Sequence, residues 1–426
     1  MSMHRHSART GRPFAPETLM MGYGYDPFLS EGSVKPPVFL TSTFVFRNAE
    51  EGKRYFQWAY GLKERDPACD PAMGLIYSRL NNPDLEILEN RLATWEQAEM
   101  CLAFSSGMSA ITTTILALVE PGQEIISTNP VYGGTDFFFE HLCQRWNIRV
   151  HRVCAGTDAP REVERILRER AGRIRLVYIE TPSNPTISMT DIDALRQVIQ
   201  TAGQPPADSE ILLMVDNTFL GPIFQQPLTK GADLSVYSAT KFIGGHSDLV
   251  AGAVMGASRL LKPVSMHRTI LGTMADPFTS WLLMRSLETL AIRMRRQEES
   301  AVRLAAMLKA HPAVERVYYP GQLDEVQNAI WRRQCSGSGS LIAFDVKGGE
   351  EEAFRVLDQV EICKLAVSLG GTECLIEHPA TMTHADLDEE TRRLAGIHPS
   401  MIRVSVGLEH YEDVEADLRG ALDVLL

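Results

Sequence analysis

Short apolar runs of strand length recur along the chain, spaced widely enough for a helix and its loops to fit between them. The runs "EMCLAFSS", "EIISTNP", "IRLVYIETP", "ILLMVDN" and "LSVYSAT" each end in hydroxyl, acidic or proline-bearing residues. Continuous apolar runs without alternation predict strands buried on both faces, as in a parallel sheet covered by helices. Between them, "SAITTTILALVE" predicts a helix stopped by Pro121 and Gly122, and "APREVERILRERAG" one stopped by Gly172. This alternation predicts an α/β domain with a doubly wound, mostly parallel sheet over residues 81–286. Beyond it the texture changes. A long charged helical pattern, "SLETLAIRMRRQEESAVRLAAMLKAHP", leads into fewer strand runs, "GSLIAFDVKGG", "CKLAVSLGG" and "MIRVSVGLE", and a closing helix, "YEDVEADLRGALDVLL". These predict a smaller α+β domain over residues 287–426. Residues 1–80 carry aromatics and prolines without periodicity, and they are expected to form an arm that wraps over another surface.

Length and charge narrow the classes of function. A chain of 426 residues exceeds one simple core and fits two domains with an arm. A net charge of −12 argues against a surface that holds nucleic acid or anionic lipid by bulk electrostatics, leaving small polar or zwitterionic partners. The seven cysteines show no CxxC pair and no His/Cys zinc spacing, so no metal site is expected and a reducing cytoplasm is the expected setting. The N-terminal stretch "MSMHRHSARTGRPFAPETL" lacks the apolar core of a signal peptide, and no segment is long and apolar enough to span a bilayer.

In an open parallel sheet the ligand sits beyond the carboxyl ends of the strands, so the residues ending the runs carry the candidate chemistry. "FSSGMSAITTT" passes from a strand through Ser105, Ser106 and Gly107 into a helix, whose first N–H groups and positive dipole end suit a phosphate. The GxxxxGK[ST] spacing of a P-loop is missing, and a plain serine N-cap is the alternative. Asp216 ends "ILLMVDN", where it is either solvated at the rim or paired with a cation such as a protonated ring nitrogen. Tyr132 in "NPVYGGT" either stacks on a flat ring or plugs the sheet end. Lys241, in "LSVYSATKFIGGHSDLVAGAV", puts an ammonium beside Ser238 and Thr240 in an apolar neighbourhood, where it needs water, a partner or a covalent role. Together an anion cradle, a strand-end aspartate, an aromatic and a half-buried lysine are the parts that hold pyridoxal phosphate, whose aldehyde condenses with a lysine amine.

These motifs resemble those of the Cys/Met-metabolism pyridoxal-phosphate enzymes, the transsulfuration family of methionine γ-lyase, cystathionine γ-synthase, cystathionine lyases and O-acylhomoserine sulfhydrylases. "IYSRLNNPD", "SSGMSAI", "YGGT", "ETPSNPT", "YSATKFIGGHSDLVAGAV", "SLGGTECLIEHPATMTH" and "IRVSVGLE" all occur in this chain. The resemblance implies fold type I, the aspartate-aminotransferase-like architecture, with pyridoxal 5'-phosphate as cofactor. It implies that Lys241 anchors the cofactor and shuttles protons, that Asp216 pairs with the ring nitrogen, and that Tyr132 stacks on the ring and assists proton transfers, making Lys241 and Tyr132 the catalytic residues. Ser106, Gly107, Met108, Ser238 and Thr240 would hold the phosphate, and Asn184 would lie near the ring oxygen. Arg403, aided by Ser368, would clamp the substrate carboxylate; without the resemblance Arg403 reads as a surface charge at a strand edge. Tyr77 and Arg79 would reach the phosphate of a neighbouring subunit. That implies a homodimer at least and a tetramer as a pair of dimers, with the arm of residues 1–80 against the neighbour.

The implied reaction is γ-elimination on a methionine-like amino acid, giving a thiol, ammonia and a 2-oxo acid, with γ-replacement on an activated homoserine as the alternative. A regulator that kept the cofactor but lost turnover is a third reading. Leu75 and Val367 stand where cystathionine-handling members carry a tyrosine and an acidic residue, which points toward methionine lyase or sulfhydrylase. Gly134 stands where methionine lyases carry cysteine. The segments "AYGLKERDPACDPAMG" and "LGTMADPFTS" match no member closely.

Overall fold

The computed structural model describes residues 5–64, 74–207 and 209–426. Most of the segment "AYGLKERDPACDPAMG", with Cys69, therefore lies outside the described residues. Two sheets organise the chain. The first contains seven strands: β1 (Met100–Phe104), β2 (Glu124–Asn129), β3 (Arg149–Cys154), β4 (Ile174–Glu180), β5 (Leu212–Asp216), β6 (Leu234–Tyr237) and β7 (Gly252–Gly256), in the order β1-β7-β6-β5-β4-β2-β3. All run parallel except β7, which is antiparallel to both of its neighbours.

The continuous apolar runs have a direct cause. In β5, Leu212 and Met214 face one core with Ile111 and Ile115, while Leu213 faces the other with Val163 and Leu195, and each of these strand residues has 0% exposure. Helices cover both faces, so neither side of the strand needs polar residues. Truncating one such side chain, as in Leu213→Ala, is expected to cost about 2–5 kcal/mol.

Two strands of this sheet were not evident in the hydrophobic pattern. The edge strand β3 is largely half-buried or exposed, so its sequence mixes Arg149, His151 and Arg152 with valines. β7 is short and begins and ends in glycine. A Cβ at Gly252 would lie 2.1 Å from the Ser106 carbonyl oxygen, and one at Gly256 would lie 2.7 Å from the Asp233 carbonyl oxygen. Glycine is needed there for close backbone approach rather than for a turn.

The second sheet contains β8 (Val314–Tyr318), β9 (Leu341–Val346), β10 (Lys364–Leu365), β11 (Leu375–Glu377) and β12 (Met401–Ser405), in the order β10-β11-β12-β9-β8. Only β10 and β11 pair in parallel. "CKLAVSLGG" forms just the two-residue β10 and then a loop: the Ala366 N–H still reaches the Ile376 carbonyl, after which Ser368 meets Lys241 beside the first sheet.

The helix Leu290–Ala310 ties the two sheets together at the point that matters for chemistry. Its Arg293 donates to the carbonyls of Phe242 at 2.9 Å and Ser286 at 3.0 Å, bracing the turn that follows Lys241. One turn along, Gln297 donates to the Gly371 carbonyl at 2.6 Å and so holds the loop after Ser368. That loop packs so closely on the turn that a Cβ at Gly370 would sit 2.7 Å from the Phe242 nitrogen. The unmatched segment "LGTMADPFTS" lies against the first sheet, with Thr273 accepting from the Ser105 N–H at 2.8 Å. No helix among the described residues is long and apolar enough to cross a membrane.

Candidate active site

The strand ends β4, β5 and β6, the helix Gly107–Leu118 and the loop before β11 enclose a cavity of about 290 Å³. Ser106, Gly107, Met108, Tyr132, Asn184, Asp216, Ser238, Thr240, Lys241, Ser368 and Arg403 all line it. Tyr77 and Arg79 do not. Tyr77 is 40% exposed, and Arg79 donates to the Thr269 carbonyl at 2.7 Å on the outer surface of the chain.

The phosphate end is built from a helix start. Ser106 caps the helix Gly107–Leu118 reciprocally with Ser109, each side chain accepting from the other's backbone N–H at 2.9 and 3.0 Å. That engagement leaves the Gly107 and Met108 N–H groups without intrahelical acceptors at the cavity wall. A Cβ at Gly107 would lie 2.9 Å from Ser238 Cβ, so glycine lets the helix start meet the hydroxyl-bearing end of β6. Thr240 instead braces the backbone: its hydroxyl donates to the Ala251 carbonyl and accepts from the Ala251 N–H.

The opposite wall is acidic. Asp216 Oδ1 accepts from the Thr218 N–H at 2.9 Å and from its hydroxyl at 2.6 Å. Glu180 is the parallel-sheet neighbour of Asp216 in register, and Tyr178 Oη lies 3.5 Å from Glu180 Oε1 and 3.4 Å from Asp216 Oδ2. Burial pushes both carboxyls above their usual range, and the charge of Asp216 pushes Glu180 further. With two Thr218 donors, Asp216 is the member that holds the negative charge, so Glu180 carries the proton. Glu180 also fixes the ring-bearing turn by accepting from the Tyr132 N–H at 2.9 Å. The Tyr132 side chain stands over Gly134, where a Cβ would lie 2.7 Å from its Cε1.

Between the walls lies Lys241, whose Nζ donates to Ser368 Oγ at 2.8 Å. Burial, then the nearby Arg403 cation, lowers its pKa from 10.5 to about 8, against the opposing pull of Glu377. A lysine so placed is neutral in a far larger fraction of molecules near physiological pH than an ordinary lysine, though still mostly protonated there. Ser368 adopts φ +99°, a left-handed conformation unusual for serine, which marks a held loop. Arg403 lies on β12 and is 2% exposed, so it is not a surface charge. Its guanidinium donates to Asn184 Oδ1 at 2.8 Å and to the Ser368 carbonyl at 3.1 Å, and pairs with Glu377 at 2.9 Å. Burial pushes Glu377 upward despite the Arg403 charge, and its Oε2 has no hydrogen-bond partner.

This donor set fits pyridoxal phosphate. The glycine-permitted helix start suits the phosphate, the Asp216 carboxylate suits a protonated ring nitrogen, and the Lys241 amine suits the aldehyde. Glu180, Tyr178, Thr218 and Glu377 escaped the sequence reading. The signal for Glu180 was present, since "IRLVYIETP" ends in an acidic residue just as "ILLMVDN" does; the other three depend on contacts that no local pattern shows.

Comparison with known proteins agrees with this chemistry. The model of the Cys/Met metabolism PLP-dependent enzyme family matches residues 17–423. An L-methionine γ-lyase of Porphyromonas gingivalis is 39% identical over 397 residues, covering 93% of this chain and 94% of that protein. An O-succinylhomoserine sulfhydrylase of Pseudomonas aeruginosa is 37% identical over 397 residues, covering 93% and 92%. Among solved structures, a cystathionine γ-synthase of Xanthomonas oryzae pv. oryzae in complex with cystathionine superposes with a TM-score of 0.84 at 34% identity, covering 96% of this chain and 98% of that one.

Proposed function

The chain belongs to the Cys/Met metabolism PLP-dependent enzyme family, and from that premise we propose that it performs γ-elimination on a methionine-like amino acid. The products are a thiol, ammonia and a 2-oxo acid, with one water consumed. The observation that carries this reading is the short reach between Lys241 Nζ and the Ser368–Arg403 pair, which sets a base beside a carboxylate clamp. Similarity to methionine γ-lyases favours elimination. γ-Replacement is the second reading, supported by the near-equal similarity to a sulfhydrylase and by Gly134.

Pyridoxal phosphate, when bound, supplies the electron sink for carbanions at the α and β carbons. The chain's own groups supply position and protons. Arg403 binds the substrate carboxylate while Asn184 and the Ser368 carbonyl keep the guanidinium in plane. Ser368 Oγ aims Lys241 Nζ at the substrate carbons; that amine takes the α-proton when neutral and returns a proton as an ammonium. Asp216, with one oxygen secured by Thr218, would present its charge to the ring nitrogen. Tyr132, whose backbone is braced by Glu180, would stack on the ring and assist proton transfers.

Of the charged side chains lining the cavity among the described residues, Lys241 and Arg403 are the cations, and both have other tasks. This supports assigning Tyr77 and Arg79 to the phosphate of a second copy, in a homodimer whose arms of residues 1–80 contact the neighbouring subunit and which pairs into a tetramer in the cytoplasm. A panel of methionine, cystathionine and O-acylhomoserines, with and without sulfide, read by product mass, tests the reaction. Methionine should yield 2-oxobutanoate and methanethiol faster than cystathionine is cleaved. Preferred cystathionine cleavage, or homocysteine synthesis that requires sulfide and occurs without elimination, would refute it.

A further inference from the structure

Cys363 and Cys374 lie just before β10 and just before β11, side by side in the parallel pair of the second sheet. Their sulfurs are 2.8 Å apart, and both side chains are buried, at 2% and 0% exposure. The neighbouring register pair is Lys364 with Leu375, and the Lys364 N–H donates to the Cys374 carbonyl at 3.0 Å. Neighbouring strands run about 4.8 Å apart, inside the Cα separation of about 4.4–6.8 Å that a disulfide spans. Side chains from the closing helix and the preceding loop fix both backbones. Asp417 accepts from the Cys363 N–H at 3.0 Å, and Glu409 accepts from the Cys374 N–H at 2.7 Å. The two thiols therefore face one another by construction.

The segment between them is the loop that carries Ser368, whose hydroxyl receives Lys241 and whose carbonyl receives Arg403. It is also the segment in which Ser368 adopts its left-handed conformation. Beyond β10 the ladder adds the bond from the Ala366 N–H to the Ile376 carbonyl at 3.0 Å, and the rest of the loop up to β11 is held by Ser405, which accepts from the Gly370 N–H, and by Gln297. Its two ends meet at the cysteines.

We propose that Cys363 and Cys374 are a dithiol modification site that forms a reversible intramolecular disulfide, stapling the base of the Ser368 loop. The oxidant is a low-molecular-weight disulfide. One cysteine, as thiolate, attacks a sulfur of that disulfide and expels one small thiol, giving a mixed disulfide. The second cysteine then attacks the protein sulfur and expels the other small thiol. Two protein thiols are oxidised, one small disulfide is reduced to two thiols, and the two protons pass to the departing thiolates. Access comes from the sheet edge. β10 is the outermost strand and just two residues long, and both residues are exposed, so fraying it uncovers Cys363. The neighbouring Cys374 sulfur and then burial hold the Cys363 thiol protonated in the closed state, which makes the exchange slow and dependent on that fraying.

The test uses the full-length holoenzyme carrying Cys154→Ser, which removes an exposed thiol. The protein is equilibrated anaerobically in graded mixtures of reduced and oxidised glutathione, quenched in acid, alkylated under denaturation and mapped by peptide mass. The expected result is a Cys363–Cys374 linked peptide and a protein mass about 2 Da lower before alkylation. The thermal midpoint of the oxidised form should rise by roughly 3 °C or more. Cys374→Ala and Cys363→Ala should each abolish both effects. The proposal fails if both thiols stay fully alkylatable in excess oxidised glutathione, or if they collect glutathione adducts without the linked peptide. A linked peptide with no rise in thermal midpoint would overturn the stapling role.

Discussion

The lowered proton affinity of Lys241 makes a quantitative prediction for the cofactor-free protein. An amine titrating at about 8 instead of 10.5 is neutral in roughly one molecule in ten at pH 7, against roughly one in three thousand. Reactive amine is therefore enriched roughly 300-fold. The assay is competitive acylation with trace acetic anhydride between pH 6 and pH 11, read by peptide mass, with Lys53, 63% exposed, as internal reference. Lys241 labelling should rise through a midpoint near 8. Arg403→Gln separates the two causes, since it removes the neighbouring cation and leaves the burial. Its midpoint should move upward yet stay below 10, because burial is the larger cause. The same displacement makes the folded protein gain stability as pH rises from about 8 to 10.5, where the unfolded chain binds the extra proton. A wild-type midpoint at 10 or above would refute the placement of this lysine. A variant midpoint indistinguishable from that of Lys53 would show that Arg403, rather than burial, sets the value.

Three further perturbations probe separate walls of the site and its support. Glu96 is 1% exposed, accepts from Tyr237 Oη and the Leu228 N–H, and titrates at about 7 instead of 4.5. It should stabilise fully below about pH 4.5 and lose up to about 3 kcal/mol as pH rises through 7; urea midpoints at pH 5 and pH 8 should differ less in Glu96→Gln than in wild type, and equal slopes would count against it. Gly107→Ala places a Cβ 2.9 Å from Ser238 Cβ and should weaken pyridoxal phosphate binding at least roughly tenfold in a fluorescence titration; unchanged affinity would refute the helix-start cradle. Gly134→Cys should displace the Tyr132 ring and lower kcat/KM roughly fivefold or more with cofactor retained; wild-type kinetics would show that the ring does not need the space.

Strand ends were the legible part of this molecule. A strand buried on both faces leaves an unbroken apolar run, and where such a run stops the chain reaches the cavity, which Asp216 and Lys241 both line. β7 was not legible, because it meets the Ser106 turn through Gly252 and so has too few side chains to signal its burial. Glu377 was hidden for a different reason: its meaning comes from Arg403, its register partner on the adjacent strand β12. Substrate choice is the hardest feature to read, and the geometry gives the reason. Neither Leu75 nor Val367 lines the cavity, and Val367 is 54% exposed, so a simple contact with substrate cannot be assigned to either within one chain. Gly134 is also missing from the lining, yet it governs where the Tyr132 ring can stand. A side chain at a position that reads as a substrate marker in sequence would thus meet a neighbour's ring rather than the cavity, and its effect would depend on how that tyrosine packs.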